Sequence, residues 1–400
     1  MVIWSFVVWS LMMFFWIVTL VICGTGYPKL YALPKRNNQS EQVTKLSVIV
    51  AAKNEELSIG RTVRELLAQT YPAMELIVVN DRSDDRTAEV LRELANEYAA
   101  TSKSFQIVTI EQLPAGWLGK NHALWQGVQH SSGECLLFAD ADIRFHPETL
   151  EHAMAFMRSK QADHLAMSPG FESKTIGLRG FIGLFLFALN LVLRPWRCND
   201  DTQRTHGVGI GAFNLIRRSV YDAVGTHESI ALRPDDDLIL GTRVKMLGFK
   251  QRFVLGREFL TVEWYPSIAE AVRGLEKNIF AGMGYNGWRA AGAILGFFAQ
   301  FHLPFWLALY GWISIDHSLT WKFMLSAPML IEFMLIGWTS WYFSKWKPWE
   351  IILLPWTTLL VAYTLARSVI LALVRGGVYW RGTFYHLREL KQFAKGQDGV

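Results

Sequence analysis

No charged residue occurs between Met1 and Pro28, and the run Val2–Cys23 is apolar throughout most of its length. As a helix it is long enough to cross a bilayer core of about 30 Å. A cleaved signal peptide carries a basic start and a small-residue cleavage site. Here the basic residues follow the apolar run instead, at Lys29, Lys35 and Arg36. The positive-inside rule then places the N-terminus outside and delivers the next domain to the cytoplasm. Three further apolar stretches lie toward the C-terminus, at about Ala291–Ile315, Phe323–Phe343 and Ile351–Val374, with Trp and Tyr at their ends as at a membrane interface. Three full spans after a cytoplasmic domain would leave the tail outside. Yet the tail carries Arg375, Arg381, Arg388, Lys391 and Lys395, which favour inside. A re-entrant or flat-lying segment would reconcile the two. Arg367, inside the last stretch, is expected to face protein or to snorkel. A fourth stretch, Ile176–Trp196, is interrupted by Arg179 and ended by Arg194-Pro195. Its core is short for a span, so an interfacial helix is the preferred reading, with a buried core helix as the alternative.

Apolar residues make up 51% of the chain and charged residues 19%, but the apolar excess sits at the two ends. The net charge is +5, which suits anionic lipid or a diphosphate ligand. With no basic arm and no zinc-finger spacing, nucleic acid is not an expected partner. Cys23, Cys135 and Cys198 are too scattered for a disulfide framework or a metal site and read as free buried thiols.

Residues 45–168 alternate strand and helix signals. Strands are predicted at Leu46–Ala51, Glu75–Asn80, Phe105–Ile110, Glu134–Ala139 and His164–Met167, with helical spacing between them. This pattern predicts an α/β domain built on a mainly parallel sheet, which binds ligands at the carboxyl ends of its strands. Acids recur there. The first strand runs into Lys53-Asn54-Glu55-Glu56, the second into Asp81-Arg82-Ser83-Asp84-Asp85 and the fourth into Asp140-Ala141-Asp142. An Asp-x-Asp at a strand end supplies hard oxygen ligands for Mg²⁺ or Mn²⁺, which also bridge phosphate oxygens. Pro147 is expected to open the following helix. Asp81 is placed to read a ribose or base, while Ser83 and Asp84 are expected to cap the next helix. Gly119-Lys120-Asn121 precedes a helix and suits phosphate, although a surface Lys beside a Gly turn is an alternative. No Walker loop and no strand-borne Gly-x-Gly-x-x-Gly is present, which disfavours an NTPase or a dehydrogenase.

A second acid cluster, Asp235-Asp236-Asp237, opens the pattern Leu238, Leu240, Val244, Leu247. It reads either as an acidic helix start or as the general base that takes a proton from an acceptor hydroxyl.

Taken in order, these features resemble glycosyltransferase family 2. The resemblance covers Val48–Glu56, Asp81, Gly119-Lys120, Asp140-Ala141-Asp142, Gly209–Phe213 with Arg217-Arg218, and Asp236–Gly241, about half the chain. It implies a GT-A (Rossmann-like) fold and an inverting, metal-dependent hexosyl transfer. By resemblance Ala51, Glu55, Asp81, Lys120 and Asp140 would contact the nucleotide-sugar. Asp142, with Asp140, would hold Mn²⁺ or Mg²⁺, and Asp237, or its neighbour Asp236, would be the base. The flanking apolar segments are similar to a membrane subgroup of hopanoid-associated and carotenoid-acid glycosyltransferases, and more distantly to ceramide glucosyltransferases. That implies a UDP-sugar donor and a hopanoid, carotenoid or sphingolipid-like acceptor at a bacterial inner membrane. The Gln-x-x-Arg-Trp motif of the family's polysaccharide synthases is absent. Arg273, Lys277 and Trp288 do not reproduce it, which argues against a polymerase. The expected layout is an N-terminal span over 1–28, a catalytic domain over 42–280 with the 176–196 helix at the interface, spans within 290–375 and an amphipathic basic tail over 376–400. A polyprenyl-phosphate glycosyltransferase and a non-catalytic scaffold on a degenerate transferase fold are the competing readings.

Overall fold

The computed structural model describes residues 2–34, 43–314, 318–343, 347–380 and 383–397. Lys35, Arg36, Ile315, Arg381 and Gly382 lie outside them. In chain order the elements are α1 (Val2–Gly26), β1 (Tyr31–Ala32), β2 (Leu46–Ala52), α2 (Ile59–Leu67), β3 (Met74–Asp81), α3 (Thr87–Tyr98), β4 (Ser104–Ile110), α4 (Gly119–Gln129), β5 (Cys135–Asp140), β6 (Arg144–Phe145), α5 (Thr149–Ser159), β7 (His164–Ser168), β8 (Gly170–Phe171) and α6 (Ile176–Leu193). There follow β9 (Asn214–Arg217), α7 (Arg218–Ala223), α8 (Asp236–Met246), β10 (Gln251–Leu255), β11 (Leu260–Val262), α9 (Ile268–Gly282), α10 (Gly287–Phe301), α11 (Leu303–Ile313), α12 (Leu319–Phe343) and α13 (Leu354–Arg375).

The chain divides into two units. One comprises Leu30–Phe171 and Leu193–Glu263, the other Met1–Lys29, Glu172–Val192 and Trp264–Val400. The first is built on an eight-stranded sheet of order β1-β10-β7-β9-β5-β2-β3-β4. All neighbours are parallel except β9, which runs antiparallel to both β5 and β7. The central strands are buried on both faces, as continuous apolar runs such as Leu46–Ala52 require. Apolar faces of α4, α7 and α8 cover one side through Leu124, Val128, Val220, Leu240 and Val244. Register sets Ala51 beside both Val79 and Asp140, so the acid-bearing ends of β2, β3 and β5 lie side by side.

Several local details differ from the sequence expectation. Asp81 and Asp140 are the last residues of their strands rather than the first residues after them. The helix after Asp142 begins at Thr149, not at Pro147. Ser83 and Asp84 do not cap α3. The Ser83 hydroxyl accepts from the Asn54 backbone N–H and the Asp84 N–H donates to Asn54 Oδ1, tying two loops together. Asp85 accepts from the Thr87 N–H at the helix start instead.

Within the second unit, five helices or helix pairs among the described residues are long and apolar enough to cross a membrane by length and composition: 6–29, 176–193, 287–313, 319–343 and 349–375. The stretch 287–313 is interrupted at His302, with Pro304 the second residue of the second piece. Trp16 is fully buried between Phe187 and Phe301 and donates its indole N–H to the Gln300 carbonyl. The Tyr27 and Thr339 hydroxyls hydrogen-bond at 2.5 Å. Polar tips are thereby satisfied inside an apolar bundle. All three cysteines are free and buried.

Candidate active site

A small cavity in the sheet-bearing unit is lined by Lys120, Phe138, Asp140, Gly211, Asn214, His227, Asp236 and Asp237 among others. Each polar group arrives by a separate local device. Lys120 is the second residue of α4. The helix is seated by Asn121, whose side-chain amide donates to the carbonyls of Ile230, Ala231 and Arg233. Those three bonds also hold the chain that leads into Asp235–Asp237. Asp140 ends β5. Asp236 and Asp237 open α8, and Arg233 pairs with Asp235 just ahead of them. Gly211 closes the cavity opposite. Its N–H donates to Asp237 Oδ2 at 2.6 Å, and the Leu238 N–H donates to Asp237 Oδ1 at 2.7 Å. A Cβ at Gly211 would stand 2.7 Å from Asp140 Oδ2 and 3.2 Å from Asp237 Oδ2, so only glycine lets the two carboxylates approach from that side.

Lys120 Nζ lies 2.9 Å from Asp140 Oδ1 and 3.7 Å from Asp236 Oδ2. Burial alone would depress its pKa, but Asp140, Asp236 and Asp237 together hold it above the ordinary lysine range. Burial raises Asp237, Lys120 opposes that and Asp140 reinforces it. Asp142 stands in a more negative setting. Burial, then the charges of Asp140 and Glu55, push its carboxyl up to about 7. Thr62 donates its hydroxyl to the carbonyls of Ala141 and Ile143 and so clamps the Asp-x-Asp backbone.

No group of three His, Cys, Asp or Glu side chains is arranged to hold a metal ion among the described residues. Mg²⁺ and Mn²⁺ sites of transferases need fewer, because one or two carboxylates are completed by phosphate oxygens and water. Asp140 and Asp142, two crowded carboxyls flanked by Glu55, form a donor set that fits such an ion.

The sequence-derived residues therefore separate into three places. Lys120, Asp140, Asp236 and Asp237 share the cavity. Asp142 adjoins Asp140 electrostatically and Glu55 adjoins Asp142, with Glu55 Oε2 accepting from the Ser58 hydroxyl at 2.8 Å. Ala51 and Asp81 are buried at the neighbouring strand ends and do not line the cavity. Asp81 is fully enclosed, paired with Arg82 at 2.8 Å and capped by Gly119, where a Cβ would collide with it.

Two features carried no sequence signal. His227 lines the cavity from a loop, donating or accepting through Nδ1 to the Tyr221 hydroxyl at 2.8 Å. Burial, assisted by Lys120, lowers its pKa to about 3 and keeps it neutral. Beside Asp81, Trp117, His122 and Trp125 pack as an aromatic trio. The pattern around Gly119-Lys120 does announce the helix but not which of its neighbours turn inward.

A parallel sheet with acids gathered at its carboxyl edge, a lysine among them and a glycine admitting two carboxylates defines the architecture of a GT-A sugar-nucleotide transferase. Residues 47–225 match the model of Glycosyl transferase family 2. The 4,4'-diaponeurosporenoate glycosyltransferases of Staphylococcus aureus strains USA300 and MRSA252 are 26% and 27% identical to this chain over 242 residues, covering 60% of it and 62% of each relative. The match thus spans less than two thirds of those relatives. Among solved structures, the mannosyltransferase PcManGT from Pyrobaculum calidifontis, in complex with GDP-Man and Mn²⁺, superposes with a TM-score of 0.56 at 16% identity, covering 88% of this chain and 98% of its own. That likeness establishes the shared fold.

Proposed function

We propose that the chain transfers a single sugar, with inversion, from a UDP-sugar to a lipid acceptor at the cytoplasmic face of a bacterial inner membrane. The observation that carries the reading is Asp237. A buried carboxylate fixed by two backbone N–H groups shares one cavity with Lys120 and the Asp-x-Asp acid Asp140. The apolar helices of the chain and the S. aureus carotenoid-acid relatives support a lipid acceptor.

In this reading Glu55, Ala51 and Asp81 position the nucleoside and Lys120 its phosphates, with Asp140 contributing to both nucleotide and metal. Asp140 and Asp142 would hold a divalent cation, which stabilises charge on the departing diphosphate when bound. Asp237 takes the proton from the acceptor oxygen as that oxygen bonds to the anomeric carbon and the bond to the diphosphate breaks on the opposite face. Its raised pKa suits a base that must accept a proton in a buried place. Asp236, also buried, helps keep Lys120 charged.

The test is titration of detergent-solubilised protein with UDP and GDP, with and without Mn²⁺, alongside transfer assays on Asp237→Asn. UDP binding that strengthens with Mn²⁺, together with a turnover loss of about 10²–10⁴-fold in the variant at unchanged UDP affinity, is expected. Full activity in Asp237→Asn would sink the assignment of the base, and preferential GDP binding would overturn the donor.

A further inference from the structure

His227 stands in the cavity and is given no part in the proton transfer. Its ring reaches in from the loop between α7 and α8, and that loop is built to hold it. Gly225 at φ 89° and Thr226 at φ 56° turn the chain just ahead of it. A β-branched residue in the left-handed region is costly, and such strain collects where a side chain must be aimed. The Thr226 N–H donates to the Tyr221 carbonyl and the Ser229 N–H to the Gly225 carbonyl. Ile230 and Ala231, further along, are fastened to α4 through Asn121. The imidazole packs nearly perpendicular to Phe138 of β5, with ring centroids 4.8 Å apart.

The hydrogen bonds around the ring fix its tautomer. The His227 backbone N–H donates to the Tyr221 hydroxyl oxygen at 3.0 Å, and that hydroxyl lies 2.8 Å from Nδ1. Tyr221 is fully buried and has one O–H to give. Among the described residues Nδ1 is the acceptor within its reach. The Tyr221 O–H therefore donates to Nδ1, and a neutral ring that accepts at Nδ1 carries its hydrogen at Nε2. Burial and the charge of Lys120 keep the ring neutral. Nε2 has no hydrogen-bond partner among the described residues. With His227 only 1% exposed, this N–H has no bulk solvent to turn to, and the cavity that the ring lines is where a partner can stand. A buried donor left unpaired is costly, which marks a group whose partner arrives with a ligand.

The chemistry of the walls selects that ligand. Beside the ring stand the carboxylates of Asp140, Asp236 and Asp237, with Lys120 among them. An anionic group at Nε2 would meet those acids. A hydroxyl suits them, because it accepts from a neutral N–H and donates to a carboxylate at the same time. Asp140 and Lys120, proposed above to meet the nucleotide and its phosphates, line the same cavity. The sugar attached to that diphosphate is therefore the part of the donor that brings a hydroxyl here.

We propose that His227, oriented by Tyr221, donates its Nε2–H to a hydroxyl of the transferred hexose and so helps decide which sugar the site accepts. The proposal rests on the assignment of a nucleotide-sugar donor. A site that offers a buried donor to a hydroxyl discriminates strongly against a sugar that cannot accept from it.

Full-length protein in phosphatidylcholine nanodiscs with Mn²⁺ is titrated with UDP, UDP-glucose and UDP-galactose, and the ratio of the better UDP-hexose affinity to the UDP affinity is read. Two variants are compared with wild type. His227→Asn keeps an acceptor for the Tyr221 hydroxyl but has no atom in the place of Nε2. His227→Gln brings an amide N–H near that place and gives up the Tyr221 bond. The ratio is expected to fall at least about tenfold in His227→Asn and less in His227→Gln, while UDP affinity changes by less than about twofold. An equal ratio in wild type and His227→Asn overturns the proposal. So does a larger loss in His227→Gln than in His227→Asn, the order that a merely structural bond to Tyr221 would give. A wild type that binds UDP but neither UDP-hexose also overturns it. Should His227→Asn fail to fold, His227→Phe, which keeps a ring against Phe138, takes its place under the same criteria. Absence of UDP binding by folded wild type is a different failure, which removes the donor assignment and this proposal with it.

Discussion

Glu75 illustrates how far a single carboxylate can be tuned away from the active site. Burial would raise it, but hydrogen bonds from Ser47, the Ser132 N–H and Lys45 outweigh that and hold it down at about 2. A depressed folded-state pKa contributes stability that is fully present above the unfolded value near 4.5 and fades as pH falls toward about 2. Thermal melting of Glu75→Gln should therefore fall below wild type by about 1–3 kcal/mol at neutral pH, and the gap should close between about pH 4.5 and 2. A gap independent of pH in that window would remove the charge from the explanation. At the cavity, Gly211→Ala forces a methyl against Asp140 and Asp237. We expect a stability loss of about 1–3 kcal/mol and a turnover loss beyond about tenfold, checked by melting and transfer assays on the same preparation. Retention of full turnover would mean that the two carboxylates are freer to part than their enclosure suggests.

At the scale of elements, α4 holds the site together. Its Asn121 satisfies three carbonyls of the loop ahead of Asp235. Asn121→Leu removes those bonds, while the Ile230 and Ala231 carbonyls keep the Arg233 and Leu118 N–H groups, so a loss of about 1–3 kcal/mol and faster hydrogen exchange over 230–236 are expected. Unchanged exchange there would show that the loop is held by other means. The strands and their carboxyl-end acids were legible in the sequence, because buried parallel strands read as unbroken apolar runs and the residues that end them must be polar. That Asp140, Lys120 and Asp237 converge was not readable from spacing, since α8 reaches the cavity through β9, a strand of four residues inserted antiparallel between β5 and β7. Nor was His227, whose placement depends on a bond to Tyr221 rather than on any periodicity. The cap at α3 was misassigned because Ser83 and Asp84 spend their hydrogen bonds on Asn54 across a loop–loop contact, which no local rule encodes. Among the apolar helices, the break at His302 and Pro304 leaves α10 and α11 at 15 and 11 residues. Each alone is shorter than a bilayer crossing, and this is the segment we propose as re-entrant, which would return the basic tail to the side of the catalytic domain. With all three native thiols buried, single cysteines introduced at Arg388 and at Lys103 should label with a membrane-impermeant maleimide from the same side of sealed vesicles. Labelling from opposite sides would require 287–313 to cross in full.

For the molecule as a whole, the order in which the chain is written matters as much as the order in which it is packed. The sheet-bearing unit is discontinuous, with Glu172–Val192 of the apolar unit interposed between its two halves, and β9, the strand that joins β5 to β7, is encoded only after that interruption. A ribosome moving at about 5–20 residues per second would therefore present the cell for some seconds with a four-stranded sheet, β5-β2-β3-β4, whose β5 edge is open, and with a lone β7 that cannot yet join it, while α6 is already seeking an apolar surrounding. Open edges of that kind invite pairing with other chains. The nascent protein is then predisposed to depend on the timing of its own delivery to the membrane, and a pause introduced by synonymous codons just before residue 214 would be expected to raise the aggregated fraction without altering one atom of the finished enzyme.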